Sequence, residues 1–350
     1  MSNQINVQEE TNEAYDAYDA VRNGIGVIDL SASGRIVVKG EDHVEFLDRL
    51  VTKDIIFMEE ETTLFTLLLQ EDGTVIDIIN LFKNEDSLTV ITTPHKKEMV
   101  LAWLQNQKPS GVEIIDISQT HSQLGFEGPY AWKLAQKFLD FEISSLPFQS
   151  FVLNQLFGKE FLLARTGVTA EYGYQLLFEK CLEPIVLETV NSFKEEDIKL
   201  KKVDWETLET LMLEIRHPYF EFKHLEELNI FEAGLEWFID FYKDEFYGRE
   251  SLEQQSEAGV NKRIVGFTTG IESKITVNDE IFIEEQLIGK VIELKESPIL
   301  NSRLGIALLE EPFAVSGIGF YVKNKENALY EAHTQSSPYI LPKSWSIKIL

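Results

Sequence analysis

The chain has a single cysteine, Cys181, so no internal disulfide can form. Its six histidines are scattered. None sits in an HExxH pair or a Cys/His cluster with zinc-ligand spacing, so no metal site is expected. Basic residues are few: 32 Lys and Arg against 59 Asp and Glu give a net charge of −27. That balance excludes nucleic acid as a partner, because phosphate binding requires a basic face. It excludes an anionic membrane surface for the same reason. A small anionic ligand held by a few local cations stays compatible. No apolar run approaches the roughly 18 residues that read as a membrane span. The first residues, MSNQINVQEETNEAYDAYDAV, are polar and acidic and lack the basic start and apolar core of a signal peptide. A soluble, cytoplasmic protein is expected.

What is present is enough apolar material, 44% of the chain, to fold without covalent staples. At 350 residues the chain is too long for one ordinary core, so two or three domains are expected. Tyr15, Tyr18 and Val21 have helical spacing. "GIGVIDLSASGRIVVKG" (24–40) reads as two strands joined by a tight turn, and "EDHVEFLDRLVT" (41–52) as a helix with an acidic first turn. Residues 62–92 form a three-stranded meander with turns at Glu71-Asp72-Gly73 and at residues 83–86. Helices are predicted over 95–107, 128–140, 180–197 and 203–215. The polar stretch "ESLEQQSEAGVNK" (250–262) reads as a linker. Beyond it, short strands about ten residues apart predict a small antiparallel barrel. The class is therefore α+β rather than a doubly wound parallel sheet.

Six segments in order carry a resemblance that spans nearly the whole chain. They are "GIGVIDLSASGRIVVKGEDHVEFLDRLVTKDI", "LFTLLLQEDGTVID", "LGFEGPYAWKLAQKF", "ARTGVTAEYGYQLLF", "LNIFEAGLEWFIDFYKDEFYGRESL" and "QLIGKVIELKESPILNSRLGIALL". Together they resemble the aminomethyltransferase family, the glycine-cleavage T-proteins and related folate-binding one-carbon transferases. The resemblance implies a three-domain cloverleaf of antiparallel-sheet domains: two intertwined α+β domains over residues 1–255 and a C-terminal β-barrel over 262–350. It also implies tetrahydrofolate as cofactor, and transfer of an aminomethyl or methyl group to it. The donor is a small methylated amine or sulfur compound, or an aminomethyl group on a lipoyl carrier protein. Such a carrier is itself acidic, so a chain at −27 repels it at long range, which favours the free small molecule.

A pterin edge is read by a carboxylate or amide, and an acidic group near the reacting nitrogen stabilises developing positive charge. By the family motifs, Asp77 is the candidate catalytic residue. Arg165, Thr169, Glu171, Tyr174, Gln175 and Arg249 are the candidate folate-binding residues. The chain departs from the family pattern in four places. The paired aspartates at the end of the meander are Asp77-Ile78. The last glutamate of the RTGYTGE-x-GFE motif is Gln175. The arginine and glycine of the RLEAG-x-P helix are Met212 and Arg216. A tyrosine before the meander's TLLL is Phe65. Each candidate also has a plain structural reading: Glu171 as a brace of its own turn, Arg165 as the partner of Glu171 or Glu214, Tyr174 as packing, Arg249 as a helix-start residue. The departures leave a second reading open, a catalytically silent folate-binding paralogue. A third, an accessory protein of iron–sulfur cluster assembly, is disfavoured because residues 246–250 lack that branch's cysteine.

Overall fold

The computed structural model of the chain describes residues 3–218 and 228–350, with side chains from residue 13 onward. Helix α1 (Asn3–Asn23) leads into strands β1 (Ile25–Asp29) and β2 (Ser33–Gly40) and the short helix α2 (His43–Asp48). The meander is β3 (Thr62–Leu69), β4 (Val75–Lys83) and β5 (Ser87–Pro94), followed by α3 (Lys97–Gln107), β6 (Val112–Asp116), β7 (His121–Glu127) and α4 (Ala131–Ala135). Strands β8 (Phe151–Leu156), β9 (Lys159–Ala164) and β10 (Gly173–Glu179) precede α5 (Glu183–Ser192), β11 (Leu200–Val203) and α6 (Trp205–Ile215). Helix α7 (Arg249–Ala258) stands before the last six strands: β12 (Lys262–Gly270), β13 (Glu280–Ile283), β14 (Gln286–Ser297), β15 (Ser302–Glu310), β16 (Gly319–Lys323) and β17 (Leu329–Gln335).

The chain divides into two compact units. The first comprises the described residues of Met1–Leu208, Phe238–Arg249 and Pro342–Leu350. It holds a six-stranded sheet, β11-β1-β7-β10-β9-β8, and a five-stranded sheet, β3-β4-β5-β2-β6. Helices α4 and α5 cover one face of the six-stranded sheet over a core that includes Phe126, Leu163, Tyr174, Leu176 and Phe178. Helices α2 and α3 cover the five-stranded sheet over Val38, Leu47, Ile79, Leu81 and Leu104. The remaining faces meet each other through Phe82, Ile91, Phe151, Leu162, Ala164 and Leu177, with the Phe82 and Phe151 rings 5.7 Å apart. Because β4 is covered on both sides, its sequence VIDIINLF is apolar almost throughout rather than alternating.

The second unit, the described residues of Glu209–Trp237 and Glu250–Leu341, contains a closed barrel in the order β12-β15-β14-β13-β16-β17. Its interior is filled by Val265, Phe267, Val291, Ala307, Leu309 and Val322.

The α+β class and the C-terminal barrel agree with the sequence reading. Four details differ. The pair β1–β11 is parallel, at the edge of an otherwise antiparallel sheet. The helix expected over 128–140 keeps α geometry only in α4 and continues as a 3-10 turn, Gln136–Phe138. The helix expected over 180–197 is confined to α5 after a 3-10 turn at Lys180–Leu182. The stretch expected as a linker is largely helix α7, whose Leu252 is buried: one apolar anchor in a polar sequence is too weak a pattern to read.

Candidate functional site

The glycine turn between β9 and β10, residues 165–172, is organised around two carboxyls. Glu127, at the end of β7, is buried inside it. Its Oε1 accepts from the Val168 N–H at 2.9 Å and its Oε2 from the Thr169 hydroxyl at 2.7 Å. Gly167 and Gly173 flank this carboxylate. A Cβ on Gly167 would lie 2.8 Å from both Glu127 oxygens, and one on Gly173 would lie 2.4 Å from the Gly167 Cα. The two glycines are therefore a close-approach requirement. Burial pushes the Glu127 carboxyl up to about 7, against the lowering pull of Thr169, Val168 and the nearby Arg22.

The second carboxyl, Glu171, faces the terminal segment. It accepts from the Lys343 N–H (3.1 Å), the Ser344 N–H (2.9 Å) and the Ser344 hydroxyl (2.5 Å). Its other partner is Arg22, 3.4 Å away and equally buried, which also donates to the Thr169 carbonyl at 3.0 Å. The Tyr172 hydroxyl donates to the Ile347 carbonyl and its N–H to the Ser344 hydroxyl. The turn thus clasps both α1, through Arg22, and the last residues of the chain. Between the two carboxyls Ala170 sits at φ 61, left-handed backbone that favours glycine.

Gln175 projects from β10 on the face that carries Leu177, opposite Tyr174, Leu176 and Phe178. Gln123 Nε2 donates to Gln175 Oε1 at 2.9 Å. Gln123 Oε1 is buried without a partner. On the facing sheet, alternation from Phe82 places Asn80 and Ile78 on the same side. Thr63 pairs with Phe82 and Phe65 with Asn80. Asn80 Oδ1 and Thr63 Oγ1 are likewise buried and unpartnered.

Asp77 sits where β4 carries a bulge against β3. Its carboxylate reaches the end of β5, accepting from the Thr93 hydroxyl at 2.6 Å and the Thr93 N–H at 3.0 Å. Burial pushes it up to about 7, outweighing the lowering effect of Thr93 and of Lys96.

The first unit therefore brings Thr169, Glu171 and Gln175 into one turn and strand, with Arg165 at its start. Arg165 donates to the Leu146 carbonyl at 2.8 Å and lies over the Tyr172 ring. Glu171 pairs with Arg22 rather than Arg165. Tyr174 points into the core beneath α4 and α5, its hydroxyl unpartnered and its pKa raised by burial. Arg249, at the start of α7, donates to the Asp244 and Phe241 carbonyls. Glu214 lies in the second unit and accepts from the Ser297 hydroxyl at 2.6 Å. Arg216, at φ 52, ends α6 in a left-handed cap where glycine is usual. Sequence reasoning missed Glu127, Arg22, Gln123 and Ser344. The signal for Glu127 was a carboxylate inside an apolar strand, directly before Gly-Pro.

A two-sheet unit with this turn, together with a separate closed barrel, defines a folding class that comparison with known proteins makes specific. The family model described as GCVT N-terminal domain matches residues 6–243. An aminomethyltransferase of Thermoanaerobacter sp. (strain X514) is 31% identical over 314 residues, 88% of this chain and 85% of the relative. One of Alkaliphilus oremlandii (strain OhILAs) is 28% identical over 318 residues, 89% of this chain and 85% of the relative. The crystal structure of glycine cleavage system aminomethyltransferase T from Bartonella henselae superposes with a TM-score of 0.80, covering 94% of this chain and 90% of that one at 18% identity. The chain belongs to the GCVT family, the family of the aminomethyltransferases.

Proposed function

We propose that this protein is a tetrahydrofolate-dependent one-carbon transferase that moves an aminomethyl or methyl group onto folate. The family membership supports the reaction class. The observation that carries the ligand is the face between the two sheets of the first unit. There the Gln123–Gln175 amide pair and the unpartnered acceptors Gln123 Oε1, Asn80 Oδ1 and Thr63 Oγ1 call for a ligand rich in N–H donors. The amino and ring N–H groups of a pterin are such donors, and buried acceptors left unpaired each cost about 1–3 kcal/mol. The residues fit the pterin end of the cofactor. When bound, the reduced folate supplies the nitrogen that takes the one-carbon unit.

In this reading Gln175 and Gln123 hold the ring edge. Arg165, Thr169, Glu171 and Arg249 belong to the folate-binding region, with Glu171 acting through the shape of the turn, whereas Tyr174, expected there from the sequence, packs into the core on the opposite face of β10. Asp77 is the carboxyl assigned to the reaction, and a group titrating near neutral pH is suited to hold or release a proton there. The donor is a small methylated amine or sulfur compound in preference to a carrier-bound aminomethyl group, because the chain's charge of −27 repels an acidic lipoyl protein.

The test is folate-dependent transfer by the full chain from three donor sets: methylated amines, methylated sulfur compounds and an aminomethyl-lipoyl carrier. The expected result is one-carbon-loaded folate with a small-molecule donor. Loading from none of the three, by protein that binds tetrahydrofolate, would overturn the transferase reading in favour of a silent folate-binding paralogue.

A further inference from the structure

The six-stranded sheet of the first unit ends at β8, whose outer edge is open. We propose that this edge is where two copies of the chain pair, antiparallel and two-fold about Leu153.

The other three sheet edges of the unit are guarded. Edge β11 carries Lys201 and Lys202, and edge β6 carries Glu113 and Asp116. Charges on an edge discourage strand addition. Edge β3 is covered by its own chain. There the Thr63 N–H donates to the Gln149 carbonyl at 2.8 Å, and the Leu67 carbonyl accepts from the Thr52 N–H at 3.2 Å. Strand β8 lies within residues 143–158, ISSLPFQSFVLNQLFG, the longest uncharged run of the chain. On a protein at −27, this is where a second copy approaches against the least repulsion.

The backbone sets the register. The Arg165 N–H donates to the Ser150 carbonyl at 2.8 Å, so even-numbered residues of β8 turn their backbone groups to β9 and odd-numbered ones turn them outward. The Phe151 N–H is spent on the Glu61 carbonyl at 2.8 Å. The Gln155 N–H is spent on Asn154 Oδ1, also at 2.8 Å. Among the described residues, the outward N–H and carbonyl of Leu153 have no partner. One residue offering one donor and one acceptor is matched by itself across a two-fold axis.

That register sets residue 157 of one copy opposite residue 149 of the other, and 158 opposite 148. Phe157, 79% exposed, then lands beside Phe148, 67% exposed, on each side of a central Leu153 pair. Phe157 stands at φ 52 in the β8–β9 turn, left-handed backbone that Asn or Asp adopts more readily. A large aromatic is thus presented to solvent against its backbone preference. A different protein would need neither the self-matched Leu153 nor the two phenylalanines on either side of it.

The experiment is analytical ultracentrifugation of the full chain over a range of protein and salt concentrations. A dimer at high micromolar protein is expected, and its share should rise with salt, which screens the charge on each copy. Leu153→Lys sets two cations against each other on the axis and should return the chain to monomer. Phe157→Asn, which suits the left-handed backbone, should weaken the dimer about tenfold, the scale of two aromatic contacts. Cross-linking reads the register in a chain whose exposed Cys181 is first replaced by serine. Leu153→Cys should then oxidise to a disulfide-linked dimer, since directly paired Cα atoms lie about 5.5 Å apart, within disulfide reach. Gln155→Cys should not, because residue 155 pairs with 151. Wild-type monomer at high micromolar protein would overturn the proposal and leave the edge to a strand of another protein. A Leu153→Lys variant that stays dimeric, or a cross-link through Gln155→Cys as fast as through Leu153→Cys, would overturn it too.

Discussion

The meander and the glycine turn each bury a carboxyl pushed up to about 7, but they surround it differently. Asp77 is engaged through both oxygens by Thr93, and the cation that acts on it, Lys96, is more distant. Glu127 shares its turn with a second carboxyl, Glu171, and with the buried Arg22 that touches the carbonyl of Thr169 and the carboxylate of Glu171. The first arrangement can lose its charge without moving anything else. In the second, one arginine ties together a helix, a turn and the end of the chain. A buried acid held by one neighbour is free to take part in chemistry, whereas one inside a network is a keystone of the fold.

Breaking the network should have the largest effect. Glu171→Ala removes the carboxylate that Arg22 pairs with and the acceptor of the Lys343 and Ser344 N–H groups. Stability should fall by about 3–5 kcal/mol, the usual cost of removing one partner of a buried ion pair, as read by urea denaturation. Asp77→Asn should leave stability at neutral pH close to wild type and lower one-carbon transfer about 10²–10³-fold, the loss typical of a single electrostatic stabiliser. Single-turnover rates at saturating folate check this. If the rate survives, Asp77 only braces the end of β5.

The comparison sharpens in the pH dependence. A carboxyl whose folded value lies above its unfolded one keeps its proton in the native state. Stability therefore falls as pH rises from about 4.5 to about 7 for Glu127, and from about 3.8 to about 7 for Asp77. The slope approaches ~1.4 kcal/mol per pH unit for each group. Glu127→Gln and Asp77→Asn should each remove one such share, measured as melting temperature against pH. Ala170→Gly has the smallest expected effect. Relieving left-handed backbone at φ 61 should raise stability by about 0.5–1 kcal/mol, visible in the same denaturation series.

Much of this was legible in the sequence because it rests on local pattern. The meander turns, the helical stripe of α6 and the short strands of the barrel are periodic signals. The family motifs located the glycine turn. What the turn holds was not legible, because its partners are remote: Arg22 lies 149 residues from Glu171, and Ser344 lies 173 away. No spacing rule links such positions. The directions of the Asp77 and Ile78 side chains were also hidden, since a bulge in β4 decides which turns toward β5 and which faces the other sheet.

The central claim, that the face bearing Gln175 binds reduced folate, is tested most directly by calorimetric titration of tetrahydrofolate into wild-type protein and Gln175→Glu. The account predicts saturable binding by wild type. It predicts tighter binding by Gln175→Glu, by about 1 kcal/mol, because a charged acceptor strengthens hydrogen bonds from the pterin N–H groups. No binding by either protein at millimolar tetrahydrofolate would contradict it.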